Sequence, residues 1–186
     1  LERADVHLDG GAGGASAPRT VQIDVTPEVD GASTLFGEQQ VNTYEAGEQT
    51  TPAVAALEGA NAGGYVVVWR SDSAQDGGGY GVYGQRYDAR GAALGAEFQV
   101  NTEGWGSQHE PVVAGTADGG FVVAWRSDSQ DGSGTGVYAQ RYGADGARAG
   151  AEFQVNTSTA SNQYEPAVVG LADGSFVVAY RSDYTD

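Results

Sequence analysis

Four runs of apolar or alternating residues recur along the chain, separated by stretches rich in Gly, Asp and Ser. In one complete unit the runs are PVVAG from Pro111, FVVAWRS from Phe121, VYAQRY from Val137 and AEFQVNT from Ala151. The second run is nearly continuous in β-forming residues, which is typical of a strand buried on both faces. The third and fourth runs alternate, as half-buried strands do. The pattern therefore predicts four antiparallel strands, named A to D, in each unit.

The unit repeats along the chain. The motif QVNT begins at Gln40, Gln99 and Gln154, and the last two lie 55 residues apart. A motif QxxP follows each copy, and strand B recurs as YVVVWRSDS, FVVAWRSDS and FVVAYRSDY. A four-stranded meander repeated in tandem is typical of a β-propeller blade, and an open stack of small β-sheets is the alternative. We predict an all-β fold of propeller-like blades, forming a partial propeller or one that other copies complete.

The same pattern divides the chain into two parts. Residues 1–35 lie outside the repeat and are predicted to be a linker with an amphipathic strand at 20–29. The repeat domain at 36–186 is predicted to comprise a D strand at 36–43, units at 44–102 and 103–157, and a partial unit at 158–186. Since an open sheet edge is a template for pairing, we expect the amphipathic strand to join a repeat sheet, either in its own chain or in a neighbouring copy, with the neighbouring copy favoured. Aromatic core residues are predicted near the ends of the B strands, at Trp69, Trp125 and Tyr180.

Charge narrows the range of partners. The 186 residues include 25 acidic and 9 basic side chains, which give a net charge of −16. A surface this acidic repels phosphate backbones and anionic headgroups, so we expect no nucleic-acid binding. No apolar run is long enough for membrane insertion. The absence of cysteine excludes disulfides and thiolate zinc sites.

The repeat also resembles a known family. The run FVVAWRSDSQDGSGTGVYAQRYGADGARAGAEFQVNT, followed by QxxP, is similar to a tandem repeat of large secreted bacterial proteins of the calcium-binding repeats-in-toxin and adhesin type. This resemblance covers about residues 36–186 and implies an extracellular location, secreted or on the cell surface. The GGxGxDxUx nonapeptide that carries calcium in the toxin repeat is absent. A fainter resemblance links SQDGSGTG, from Ser129, to the SxDxGxTW Asp-box of sialidase propellers, although Ser133 replaces its Gly and Gly136 its Trp.

Two sets of loops are predicted to meet at one end of the units, because antiparallel strands alternate in direction. The turns between strands B and C offer carboxylate oxygens, the ligands that calcium prefers, although Asp and Gly also favour turns for purely structural reasons. The predicted metal ligands are Asp72, Asp76, Asp128, Asp131 and Asp183. The loops between strand D and the next strand A carry aromatic and amide groups that suit a sugar or a protein partner. The predicted ligand-binding residues are Trp105, Tyr44, Asn101 and Glu103.

Catalytic chemistry is not evident in the sequence. The two histidines, His7 and His109, have no repeat counterparts, and no two carboxylates stand out as the pair that a glycosidase needs. We therefore predict that the chain is not an enzyme. Our first hypothesis is an extracellular binding or adhesion module that depends on calcium and recognises glycans. The alternatives are a structural subunit of an extracellular filament or virion surface assembled by strand complementation, and a sialidase-like glycosidase fragment. The expected partners are other copies of the chain, or further repeats of a longer one.

Overall fold

The computed structural model describes residues 39–72, 75 and 77–183, together with the backbone of two short strands at 4–7 and 22–25. Its strands are β1 Ala4–His7, β2 Gln22–Val25, β3 Gln39–Gln40, β4 Gln49–Ala56, β5 Tyr65–Ser71, β6 Gly81–Tyr87, β7 Ala93–Gln99, β8 Gln108–Gly115, β9 Phe121–Asp128, β10 Thr135–Tyr142, β11 Phe153–Gln154, β12 Gln163–Gly170 and β13 Phe176–Ser182. A single 3-10 turn, Gly59–Asn61, is the helical element of this part of the chain. The described residues include no helix that is long and apolar enough to cross a membrane.

The strands form antiparallel meanders in chain order. Sheet I contains β4–β5–β6–β7 and sheet II contains β8–β9–β10–β11, while β12 and β13 form pair III. An N-terminal sheet contains β1–β2–β3. The prediction of an all-β fold with four-stranded antiparallel units is therefore confirmed, and in sheets I and II the four strands are A, B, C and D in that order.

The core lies between successive sheets. Strand B is buried on both faces, as its continuous apolar sequence predicts: Val66 to Trp69 in sheet I and Phe121 to Trp125 in sheet II have no exposed surface. Because side chains alternate along a strand, Val66 and Val68 face sheet II, where they join Trp125 in one cluster. The other face of sheet II packs in the same way against pair III, through Val122 and its neighbours.

One of the predicted core aromatics is not buried. Trp69 and Trp125 are fully buried, but Tyr180 keeps 37% of its surface exposed. In sheets I and II the tryptophan has a tyrosine of strand C directly opposite, Tyr83 or Tyr138. In pair III no strand C is paired with β13 among the described residues. The prediction for Tyr180 is wrong because, among the described residues, no strand covers it as Tyr83 and Tyr138 cover its equivalents.

A repeated amide brace holds each loop between strands D and A. In QVNT, the Asn101 side chain accepts a hydrogen bond from Val82 N at 2.8 Å and donates to the Glu103 carbonyl at 2.8 Å and to Gln108 Oε1 at 3.0 Å. Gln108 is the Gln of QxxP, and its own amide donates to the Trp105 carbonyl at 3.3 Å. Asn156 and Gln163 make the same contacts in the next unit. The Asn of QVNT and the Gln of QxxP therefore stabilise the same loop together.

The N-terminal strand pairs within its own chain. Gln22–Val25 lies within the predicted 20–29 segment, and its partners are β1 and β3 of the same chain. Pairing with a sheet of another copy stays a prediction. Gln22 is paired with Gln40, just as Tyr83 is paired with Gln99 in sheet I. By register, β2 therefore occupies the position of a strand C.

Candidate functional site

Each strand A contains a bulge at the residue that precedes the proline of QxxP. Thr51, Glu110 and Glu165 have φ values of 49°, 52° and 52°, and the pairing register between strands A and B shifts at each of them. Left-handed backbone is uncommon for residues other than glycine, and more so for β-branched Thr51. Such positions cost about 1–3 kcal/mol each and cluster where function requires them. Three equivalent strained residues in three units therefore mark a candidate site.

The three bulges line one open groove. Strands β4, β8 and β12 lie side by side, and Gly115 and Gly170 allow this, since any side chain there would collide with a carbonyl oxygen of the preceding strand A. The groove has a volume of about 340 Å³. Its lining residues are Thr51, Pro52, Ala53, Glu110, Pro111, Val112, Glu165 and Pro166. The prolines form an apolar floor, and the bulge residues supply the polar groups.

Both carboxylate oxygens of Glu110 accept hydrogen bonds at this groove. Its Oε1 accepts a hydrogen bond from Arg126 Nη1 at 2.9 Å, and its Oε2 accepts one from the backbone N–H of Glu165 at 3.1 Å. Arg126 Nε also lies 3.9 Å from Oδ1 of Asp128. The carboxylate of one unit is thus held against the bulge of the next, so the two glutamates occupy adjacent positions along the groove.

His109 lies beside Glu110 in the sequence and is held in one tautomer. Arg70 Nη1 lies 3.3 Å from its Nδ1, and Asp128 Oδ2 lies 3.2 Å from its Nε2. Because a guanidinium can only donate, Nδ1 is the acceptor and Nε2–H donates to Asp128. Burial lowers the pKa of His109 below its usual value, although Asp128 opposes this. The imidazole is therefore neutral near pH 7, with Arg70 in turn stacked 4.2 Å from the ring centre of Tyr80.

The third unit repeats this arrangement with tyrosine in place of histidine. The Tyr164 hydroxyl donates to Asp183 Oδ1 at 2.5 Å, and Arg181 lies 4.8 Å from the Tyr164 ring centre and 3.9 Å from Glu165 Oε1. The hydrogen bond from Tyr164 lowers the pKa of Asp183 and raises that of the tyrosine. Beside each groove glutamate the structure therefore places an Arg, an Asp and a ring that bonds to the Asp.

The predicted metal ligands do not share one centre. Asp128 bonds to His109 and Asp183 to Tyr164, while Asp131 accepts from the backbone N–H of Ser133 at 3.0 Å within its own turn. The carboxylate of Asp72 lies against the backbone of Gly47, and Asp76 lies outside the described residues. Among the described residues no three His, Asp or Glu side chains form a metal-ligand group. Calcium binding stays a prediction.

The predicted ligand-binding residues lie in the loops between strands D and A, but not all reach the surface. Trp105 is 84% exposed, and its backbone N–H donates to Glu103 Oε1 at 3.0 Å. Tyr44 is half-buried, and its carbonyl accepts from Asn42 Nδ2 at 2.8 Å. Asn101, in contrast, is buried in the loop brace, with both ends of its amide bonded within the protein. Asn101 therefore supports the loop, while Trp105 is free to contact a ligand.

Sequence reasoning missed the groove. QxxP was evident as a repeat, but the residue before a proline is normally extended, so no left-handed bulge was expected there. The available signal was the variation inside the constant motif, which reads TT, HE and YE between Gln and Pro. Polar residues that differ between copies of an otherwise constant motif indicate a position whose residue type is not determined by packing alone.

Comparison with known proteins adds one fold relationship. No family model matches the chain, and no curated protein does. Among solved structures, the chain is similar to the endo-arabinase from Bacteroides thetaiotaomicron VPI-5482, with a TM-score of 0.53 and 13% identity. The match covers 98% of this chain and 70% of that one. At this identity the likeness concerns the fold alone, and the resemblance to toxin and adhesin repeats stays a prediction.

The prediction that the chain is not an enzyme is wrong, because an enzyme, the endo-arabinase, has a similar fold. That prediction relied on His109 having no counterpart in the other units and on no carboxylates standing out. The structure instead places Glu110 and Glu165 on one groove and pairs His109 with Asp128 beside it. The lack of a repeat counterpart for His109 and the lack of an evident carboxylate pair therefore do not exclude catalysis.

Proposed function

We propose that the repeat units are blades of a β-propeller and that the groove across their A strands binds carbohydrate. Two observations support the propeller. The A strands are closely packed neighbours, as the inner strands of blades are. The endo-arabinase to which the chain is similar has a fold of the propeller type.

The observation that carries the ligand proposal is the row of bulges. Sugar hydroxyls both donate and accept hydrogen bonds, so they suit a surface where carboxylates and guanidinium groups alternate. Glu110 and Glu165 supply the acceptors, and Arg126 and Arg181 lie within 4 Å of them as donors. The proline floor offers apolar surface to the sugar ring. A net charge of −16 favours a neutral glycan over an anionic one.

The setting that we propose is extracellular, on a secreted or surface protein of the adhesin type. The repeat resemblance supports this setting, and calcium dependence is part of the same proposal. The exposed Trp105 extends the binding surface as an aromatic platform beyond the groove.

Titration calorimetry with a panel of neutral oligosaccharides, arabinan fragments included, tests this function. We expect Glu110→Gln and Glu165→Gln each to weaken binding at least tenfold, because each loses a charged acceptor on the groove. Glu58→Gln, in the turn between strands A and B at the other end of sheet I, is the matched control and leaves binding unchanged. Absence of binding to any neutral glycan, or unchanged affinity in both groove variants, would refute the proposal.

A second candidate function is hydrolysis of a glycosidic bond. It is favoured by the two glutamates at adjacent positions on the groove, since glycosidases use two carboxylates that flank the scissile bond. The endo-arabinase, an enzyme named for a sugar polymer, supports the same substrate class. Release of reducing sugar from arabinan by the parent chain, lost in Glu110→Gln and in Glu165→Gln, is the expected result. Turnover that survives both substitutions would exclude this pair as the catalytic carboxylates.

A further inference from the structure

One face of pair III is apolar and exposed. Val169, Leu171 and Val177 keep 53%, 41% and 50% of their surface exposed. Their equivalents in sheet I are Ala55, Leu57 and Val66, of which Leu57 and Val66 are buried against sheet II. Sheet II likewise covers pair III with Val122 and its neighbours. The exposed face therefore continues an interface that the chain already forms twice between successive units.

The edge of β13 is also open. In sheets I and II, strand B is hydrogen-bonded to strand A on one side and strand C on the other, whereas β13 pairs with β12 alone among the described residues. Its sequence, FVVAYRS, is rich in β-forming residues. An uncovered edge of this composition is a template for another strand.

The chain carries strands that fit this edge. By register β2 is a strand C and β3 the strand D that follows it, while β12 and β13 are strands A and B. Two complete sheets separate these halves along the chain. The described residues therefore hold two whole units and two complementary halves of a further one.

We propose that two copies of the chain pair reciprocally, with β2 and β3 of each copy completing pair III of the other. The inference rests on the propeller proposed above. In this pairing β13, with seven residues, replaces the four-residue β1 beside β2. The apolar face of pair III is then covered by the next unit, as it is within sheets I and II. The net charge of −16 on each copy opposes association, so salt should strengthen it.

The register of the new pairing follows from the complete sheets. Trp125 lies opposite Tyr138, and Ala124 opposite Ala139. The same register places Tyr180 opposite Gln22 and Ala179 opposite Ile23 of the other copy. Cα atoms of directly opposed residues are about 4.5–5.5 Å apart, within the range of about 4.4–6.8 Å that a disulfide spans. The chain has no cysteine of its own, so engineered pairs report on this contact alone.

The first test is mass in solution, measured by light scattering on the full chain over a range of concentration and salt. We expect a particle of twice the 19.1 kDa chain mass, with more dimer at high salt. Val177→Lys should give a monomer, and Thr159→Lys, which adds the same charge in an exposed loop, should leave the dimer intact. A monomer under all conditions, a ladder of polymers, or a Val177→Lys variant that dimerises like the parent would overturn the reciprocal pairing.

The second test is cross-linking. A mixture of Ala179→Cys and Ile23→Cys chains should form a disulfide-linked heterodimer on oxidation. The off-register mixture of Ala179→Cys with Asp24→Cys should form far less. Equal yields in both mixtures would overturn the proposed register. Glycan binding, measured on the Val177→Lys variant, is a separate readout, so failure of the pairing between copies and failure of the carbohydrate site can be told apart.

Discussion

Replacing Trp125 by alanine probes the packing on which the whole stack of sheets depends. Trp125 has no exposed surface and lies in the cluster between sheets I and II, with Val68 of one sheet and Phe121 of the other. Tyr138 lies opposite it on strand C and closes the pocket from the side. The substitution therefore removes a large side chain from a site whose neighbours, held by two sheets, have little freedom to collapse into the space.

The size of the effect follows from two opposing contributions. A buried tryptophan removes roughly 200 Å² from water, which at about 25 cal/mol per Å² corresponds to about 5 kcal/mol. The Nε1–H of Trp125 has no hydrogen-bond partner among the described residues, so deleting it relieves an unsatisfied donor worth about 1–2 kcal/mol. We expect Trp125→Ala to lower the free energy of unfolding by about 3–4 kcal/mol, within the range measured for large core deletions.

Urea unfolding followed by far-ultraviolet circular dichroism measures this loss. The matched comparison is Tyr180→Ala, at the same place in the repeat but 37% exposed, made in the monomeric Val177→Lys background. We expect that variant to lose less than about 1.5 kcal/mol. A loss below about 1 kcal/mol for Trp125→Ala, or equal losses at the two positions, would refute the argument that packing between complete sheets supplies the stability.

Three further predictions concern pH, strain and calcium. Burial keeps His109 neutral in the folded protein. Its contribution to stability is therefore complete above the pKa of about 6.5 that it has in the unfolded chain. This contribution is lost as pH falls below that value toward the lower pKa of the folded state. The melting temperature should therefore fall between pH 7.5 and 5, and less so in His109→Gln. Glu165→Gly should raise stability by about 1 kcal/mol in urea unfolding, since it relieves left-handed strain at a smaller cost in chain entropy. Glu103→Gly should lower stability, because Glu103 does not itself have a positive φ. If the acidic turns bind calcium at roughly 0.1–1 mM, millimolar calcium should raise the melting temperature, less so in Asp131→Ala, and an unchanged curve with chelator would leave those turns structural.

The regular part of this fold was predictable because it depends on local pattern. The continuous apolar run of strand B can be buried only between two other layers, and Trp69 and Trp125 are found there. Tyr180 has the same local sequence but a different environment. In the described part of the chain no strand C lies beside it, and the local residues carry no signal of that difference. Asn101 appeared as a candidate ligand contact because a repeated loop Asn suits both binding and bracing. The hydrogen bonds that decide between the two roles are accepted from Val82 N–H and donated to Gln108 Oε1.

The groove was not predictable for a related reason. Its strain lies at residues that precede proline, where local rules favour extended backbone. Only the pairing of strand A with strand B, through the register shift at each bulge, imposes the left-handed conformation. The approach of Glu110 to the backbone of Glu165 joins residues 55 apart, so it arises from the stacking of two units and not from either one alone.

The most direct test of the account is an amide-resolved nuclear magnetic resonance titration of the chain with a neutral oligosaccharide that binds. We expect the largest shift changes at the backbone amides of Thr51, Glu110 and Glu165 and in the flanking A strands, with smaller changes at Trp105. Shift changes confined to the Trp105 loop, or scattered over the surface with the three bulge amides unmoved, would contradict the claim that the groove is the binding site.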